Sequence, residues 1–219
     1  MNKTMMRVVG VILVIATFLL ISECAKKEKP ILGSGDAASA VYVAPGDYDE
    51  FYAFTSGGFS GQLGVYGLPS GRLFREIPVF SVDPENGYGF NEETKDMLKT
   101  SFGYIPWDDS HHPELSQTDG VTDGRWIFIN GNNTPRIARI DLKNFETAEI
   151  IEIPNSGGNH GSPFITQNSE YVVASTRFSV PIPQADVPID SYKENFGGTI
   201  SFIKVNPDDG HMNIEFQII

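Results

Sequence analysis

Two kinds of apolar pattern divide the chain. From Val8 to Ile21 the residues are apolar except for Gly10 and Thr17, with Lys3 and Arg7 before them and Ser22-Glu23-Cys24 after. A charged start, a short apolar stretch and a polar break are the layout of a secretory signal. The run also falls short of the roughly 20 residues a membrane-spanning helix needs. Residues 1–29 are therefore read as a signal peptide, with an uncleaved anchor helix as the alternative. A Gly/Ala/Ser stretch from Gly33 to Ala40 makes residues 30–41 a flexible linker.

Beyond residue 42 the apolar positions alternate in short runs broken by turn residues, the period of β-strands. Phe51-Tyr52-Ala53-Phe54 predicts a strand ending at the turn Ser56-Gly57-Gly58. Leu63-Gly64-Val65-Tyr66 and Leu73-Phe74-Arg75-Glu76-Ile77 flank the corner Pro69-Ser70-Gly71, which is hairpin chemistry. The grammar recurs in Arg125–Ile129, Arg136–Leu142, the turn Lys143-Asn144, and Glu149–Ile153. A third copy runs from Tyr171–Ala174 through Thr199–Val205 and the turn Asn206–Gly210 to Met212–Phe216. One short helix is predicted, over Glu92–Lys99. Three meanders joined by long loops imply an all-β fold with propeller blades over residues 42–219, against a β-sandwich as rival. Three blades leave a ring open and its strand edges bare, so the chain is expected to be truncated, stopping before the ring is complete.

Composition narrows the setting. Cys24 is the only cysteine, so no disulfide framework or cysteine metal site follows it. Its place after the apolar run suits lipid attachment, although Glu23 directly before it does not. Without residues 1–29 the chain keeps 11 basic and 26 acidic residues, a net charge of −15. Such a surface repels nucleic acid and anionic membrane and suits an exported, periplasmic protein that docks a basic electron donor.

Chemistry is sought in the loops. His111 and His112 lie in Trp107-Asp108-Asp109-Ser110-His111-His112-Pro113, and His160 in Asn155-Ser156-Gly157-Gly158-Asn159-His160-Gly161. Adjacent histidines in a regular strand would face opposite sides, whereas in a loop both can reach one metal centre. Asp109 is placed to accept a hydrogen bond from a ligand ring and so fix its tautomer. Imidazoles without thiolate or clustered carboxylate suit copper or zinc, not calcium or magnesium. The competing reading is a surface pair bonded to Asp108 and Asp109. His211 reads as an ordinary exposed residue beside a hairpin turn, and Trp107 and Trp126 as core residues. Asn132-Asn133-Thr134 fits a glycosylation acceptor.

Asp109-Ser110-His111-His112-Pro113, Asp123–Asn130, Arg136–Ile140 and Gly158-Asn159-His160-Gly161 together resemble the N-terminal propeller of nitrous oxide reductases. Ser56–Gln62 is similar to that family's opening blade, and a signal without a twin-arginine pair resembles its Sec-exported branch. The resemblance implies a seven-bladed propeller binding a four-copper sulfide cluster, with His111, His112 and His160 as metal ligands in the catalytic site and Asp109 behind them. It implies reduction of nitrous oxide to dinitrogen and water, with electrons from a c-type cytochrome or cupredoxin. It implies head-to-tail homodimers. A C-terminal cupredoxin domain, with its binuclear copper site and calcium, is expected only in a region this chain lacks, so the fragment alone is expected to be inactive. A non-catalytic propeller-like binding module and a simple histidine metal carrier are the alternatives.

Overall fold

The computed structural model describes residues 37–161 and 163–219. The signal peptide and Cys24 lie outside the described residues. The chain forms two units, Met1–Ala44 and Pro45–Ile219; in the first, Ala37–Ala40 forms a single helical turn. No helix among the described residues is long and apolar enough to cross a membrane.

The second unit is built from antiparallel sheets in sequential order. Strands β1 (Phe51–Ser56), β2 (Gln62–Leu68) and β3 (Leu73–Pro78) form the first. A six-residue helix, Glu92–Met97, and the hairpin β4 (Lys99–Thr100) and β5 (Gly103–Tyr104) follow. The helix is shorter than the sequence predicts. Asn91 caps its start by accepting from the Thr94 amide, and Leu98 already leaves helical geometry to enter the core. Strands β6 (Ser110–Thr118), β7 (Val121–Gly131), β8 (Arg136–Asp141) and β9 (Glu146–Glu152) make the second sheet. The third combines β10 (Phe164–Ile165) and β11 (Tyr171–Ser175) with β14 (Ile200–Val205) and β15 (Met212–Ile218). Between β11 and β14 the chain makes the small pair β12 (Val180–Pro181) and β13 (Phe196–Gly197). None of these sheets closes on itself.

The middle sheet is buried on both faces, which explains the unbroken apolar run Trp126–Ile129. Side chains alternate across a strand, so Ile127 and Ile129, with Ala138 and Ile140 opposite, pack on Leu63, Val65 and Ile77 of the first sheet. Trp126, Phe128 and Ile137 turn the other way, onto Ile165, Val172, Ile203 and Met212 of the third. Removing one such fully buried side chain from water is worth about 1.5–3 kcal/mol, so these two layers of contact set the stacking of the sheets.

The structure corrects two expectations. His111 and His112 stand in β6 rather than in a loop, because Ser110 and His111 pair with Gly131 and Asn130 at the end of β7. Trp107 is not in the core: it is 46% exposed, stacks on Phe59 with ring centroids 6.3 Å apart, and donates Nε1–H to the Phe59 carbonyl at 2.7 Å. Trp126 is buried as expected.

Candidate metal centre

The segment before β6 is fixed from below by a buried ion pair. Asp108 is fully buried and accepts from the backbone amides of Asp109, Asn133 and Thr134, at 2.7, 2.9 and 2.9 Å, and from the Thr134 hydroxyl. The Arg136 guanidinium, also fully buried, lies 3.6 Å from Asp108 Oδ2 and over the Phe80 ring at 4.9 Å. It donates to the Ile105 and Trp107 carbonyls, each at 3.1 Å, and to the Thr134 hydroxyl at 2.7 Å. Desolvation lowers the Arg136 pKa, and Asp108 acts in the opposite sense. One guanidinium thus ties the Ile105–Asp108 backbone to the start of β8.

Above this anchor β6 carries an irregularity that decides where its histidines point. His111 pairs with Asn130, but the next paired residue is Glu114, opposite Phe128, so His112 and Pro113 form a bulge. His112 adopts φ +51°, which reverses the usual alternation. Its ring therefore lies beside that of His111 rather than on the opposite face.

His160 comes from the β9–β10 connection. Its neighbour Asn159 donates its amide to the Gly131 carbonyl at 3.2 Å and bridges Thr176, and the Arg177 amide donates to the Gly158 carbonyl at 2.7 Å. Gly158, at φ +122°, has no room for a side chain: a Cβ there would meet the Asn132 carbonyl oxygen at 2.7 Å. The loop is thereby held across the ends of the second and third sheets, and it delivers the third ring.

The three rings form a nearly equilateral triangle. Centroid separations are 5.3 Å for His111–His112, 5.2 Å for His111–His160 and 5.1 Å for His112–His160. One nitrogen from each lies within 4.8 Å of the others, a group that could hold a metal ion. The His160 pKa is lowered, first by desolvation, then by the His112 and His111 rings and Arg177, with Asp109 opposing. A neutral imidazole is the form that ligates.

Asp109 is 4% exposed and stands behind the triangle. Its Oδ1 lies 2.8 Å from His111 Nε2, a contact that is not aligned as a hydrogen bond, so Oδ1 is a buried acceptor facing that ring. Its Oδ2 accepts from the Asn132 amide at 2.9 Å. Asn132 is only 5% exposed, with its side-chain nitrogen engaged by Asp109, so it does not present the glycosylation acceptor that its motif suggests. Asp108 bonds to backbone and Arg136 instead of the histidines. His211 stands outside the triangle, exposed, with Nδ1 2.7 Å from Glu149 Oε1.

Sequence reasoning missed Arg136 and Asn132. The available signal for Arg136 was a charge opening the apolar strand Arg136–Ile140, which is buried on both faces. For Asn132 the glycosylation motif masked the buried role.

No protein-family model matches the chain. Among solved structures, hydrazine synthase of Kuenenia stuttgartiensis is similar with a TM-score of 0.47 and 15% identity, over 74% of this chain and 38% of that one. A score of that size assigns neither fold nor function. The sequence comparison is of another order. Over 186 residues the chain is 38% identical to the nitrous-oxide reductase of Pseudomonas fluorescens and 34% identical to that of Stutzerimonas stutzeri. Over 160 residues it is 36% identical to the nitrous-oxide reductase of Cupriavidus necator. The first two matches take in 84% of this chain and 28% of each relative, so the chain spans little more than a quarter of their length. Through the stretch that holds all three histidines, the chain belongs to the nitrous-oxide reductase family.

Proposed function

We propose that this chain carries part of the copper-binding face of a nitrous-oxide reductase, with His111, His112 and His160 as metal ligands and Asp109 orienting His111. The observation that carries the reading is the closure of three imidazoles from two separate segments into one triangle, 5.1 to 5.3 Å between ring centroids. The donor set fits copper: three imidazole nitrogens, with no thiolate or carboxylate joining them among the described residues. The buried Oδ1 of Asp109 beside His111 fits as well, since ligating histidines commonly turn their second nitrogen to a carboxylate.

In this reading the sheets are blades of the family's seven-bladed propeller, supported by the sequential antiparallel order and the face-to-face stacking on the middle sheet. The remaining ligands of the four-copper sulfide cluster, and the binuclear copper site that admits electrons, are assigned to the length of the relatives that this chain does not match. Copper held by these histidines would pass on electrons from an external donor and lend Lewis acidity to the conversion of N2O, two electrons and two protons into N2 and H2O. The chain's own contribution is to hold three imidazoles together, to bias His160 toward its neutral form, and to set the His111 ring against Asp109. An exported, periplasmic protein is supported by the residue pattern before Cys24. A c-type cytochrome or cupredoxin as donor, and a homodimeric assembly, rest on family membership alone.

A single-ion histidine carrier is the second reading, favoured by the exposure of His112 and His160. Anaerobic titration with Cu(I) in the presence of added sulfide distinguishes the two. Cluster assembly takes up more than one copper per protein together with acid-labile sulfide, and a carrier takes up one copper and retains no sulfide. Binding that survives H111A, H112A and H160A alike would contradict both.

A further inference from the structure

We infer that Asn132 is a positioning residue of the metal centre, which holds the Asp109 carboxylate so that His111 offers Nδ1, and not Nε2, to the metal. The inference rests on the reading of His111 as a ligand and adds a residue that neither its motif nor its position in the chain identifies.

Asn132 grips Asp109 at two points. Its backbone amide donates to the Asp109 carbonyl at 2.9 Å, and its side-chain amide donates to Asp109 Oδ2 at 2.9 Å. Both residues are buried, so these bonds lie away from water and are correspondingly firm. With Oδ2 taken, Oδ1 is the carboxylate oxygen left for the His111 ring; it lies 2.8 Å from Nε2, close enough to accept its proton once the ring turns into line. A ring whose Nε2 faces a carboxylate carries its proton there, and Nδ1 is left as the ligand atom.

The same residue also positions the other ligand loop. The Asn132 carbonyl accepts from the Arg177 guanidinium at 3.4 Å, and it is the atom that a Cβ on Gly158 would strike. Gly158 stands two residues before His160. Asn132 therefore touches the supports of both histidine segments, with its side chain serving β6 and its carbonyl serving the β9–β10 loop. An Ala substitution deletes the first function and leaves the second.

Four buried side-chain atoms nearby have no hydrogen-bond partner among the described residues: Asp109 Oδ1, Asn130 Oδ1, Asn132 Oδ1 and Asn159 Nδ2. They mark this floor as a polar one in which an amide's orientation is set by the bonds it does make. For Asn132 that bond is the one to Asp109.

The test uses the full chain labelled with 15N-histidine and free of metal, and reads the tautomer of each ring from its nitrogen shifts. His111 is expected as the Nε2–H tautomer. N132A should convert it to a mixture and weaken Cu(I) binding by about 10–100-fold. N133A, at the exposed neighbouring side chain, should change neither. The nearly isosteric N132L fills the same space without the donor and should behave as N132A, which separates loss of the bond from loss of packing if N132A does not fold. An Nε2–H tautomer and copper affinity unchanged in N132A or N132L would overturn the inference. If the parent chain binds no copper, the ligand reading fails, while the tautomer still decides the role of Asn132.

Discussion

His111 and His112 are consecutive residues of one strand, yet their rings lie 5.3 Å apart on the same side, both closing on His160. The bulge at His112, with φ +51°, produces this convergence. A non-glycine residue in left-handed geometry costs about 1–2 kcal/mol, a cost that a metal-binding ring can justify and a methyl group cannot.

That gives a first prediction. H112G and H112A should both lose most copper binding, but H112G should be the more stable by about 1 kcal/mol. Chemical denaturation of the metal-free proteins measures the difference. Equal stabilities would mean that the backbone at His112 is relaxed.

A second prediction concerns the anchor beneath the site. D108N leaves the Arg136 charge buried without its ion partner, and losses of about 3–5 kcal/mol are expected for such a break. The double variant D108N/R136M should recover only part of that loss: the stranded charge is gone, but so are the Arg136 bonds to the Ile105 and Trp107 carbonyls. The urea midpoints of the parent, single and double variants give the coupling, and a D108N loss below about 1 kcal/mol would show the pair to be unimportant.

Acid sensitivity should depend on Asp123. Desolvation raises its pKa, but bonds from Arg125, Ser116, the Arg125 amide and Thr118 outweigh it, lowering the value to about 2. Because the folded value lies below the unfolded one of about 3.9, Asp123 stabilises the fold above that pH. Its contribution is lost as the pH falls from about 4 to about 2. D123N should therefore be less stable than the parent at pH 7, and the gap should narrow across that window. Unfolding curves at pH 7, 4 and 2.5 read it directly, and a gap independent of pH would contradict the assignment.

Two glycines of the His160 loop should respond differently. Gly158 and Gly161 both have positive φ, +122° and +102°, but only Gly158 is crowded, with the Asn132 carbonyl 2.7 Å from a new Cβ. G161A should cost only the backbone strain, about 1–3 kcal/mol. G158A should cost more and should also reduce copper affinity, because the loop must move to relieve the clash. Melting temperature and Cu(I) titration of both variants check this ordering.

Much of the scaffold was legible in the sequence because each strand carries its own alternation and each turn its own glycine, proline or asparagine. The hairpin across Pro69-Ser70-Gly71 and the meander from Arg125 to Ile153 are of this kind. The three histidines could be picked out by residue type and neighbourhood. Their geometry could not, because the register shift at His112 depends on pairing with β7 and leaves no local mark beyond the following Pro113. Trp107 was misplaced for a related reason: its exposure follows from the Arg136 bond to its carbonyl and from the stacking on Phe59, both long-range contacts. Asn132 and Arg136 act through partners 23 and about 30 positions away, a separation that no periodicity reports.

The central claim is that His111, His112 and His160 act as one metal centre, and X-ray absorption at the copper edge tests it most directly. Copper-loaded protein should show a nitrogen shell with the multiple-scattering signature of imidazole, and that signature should weaken in H111A, H112A and H160A alike. A copper shell without imidazole, or one that none of the three substitutions alters, would contradict it.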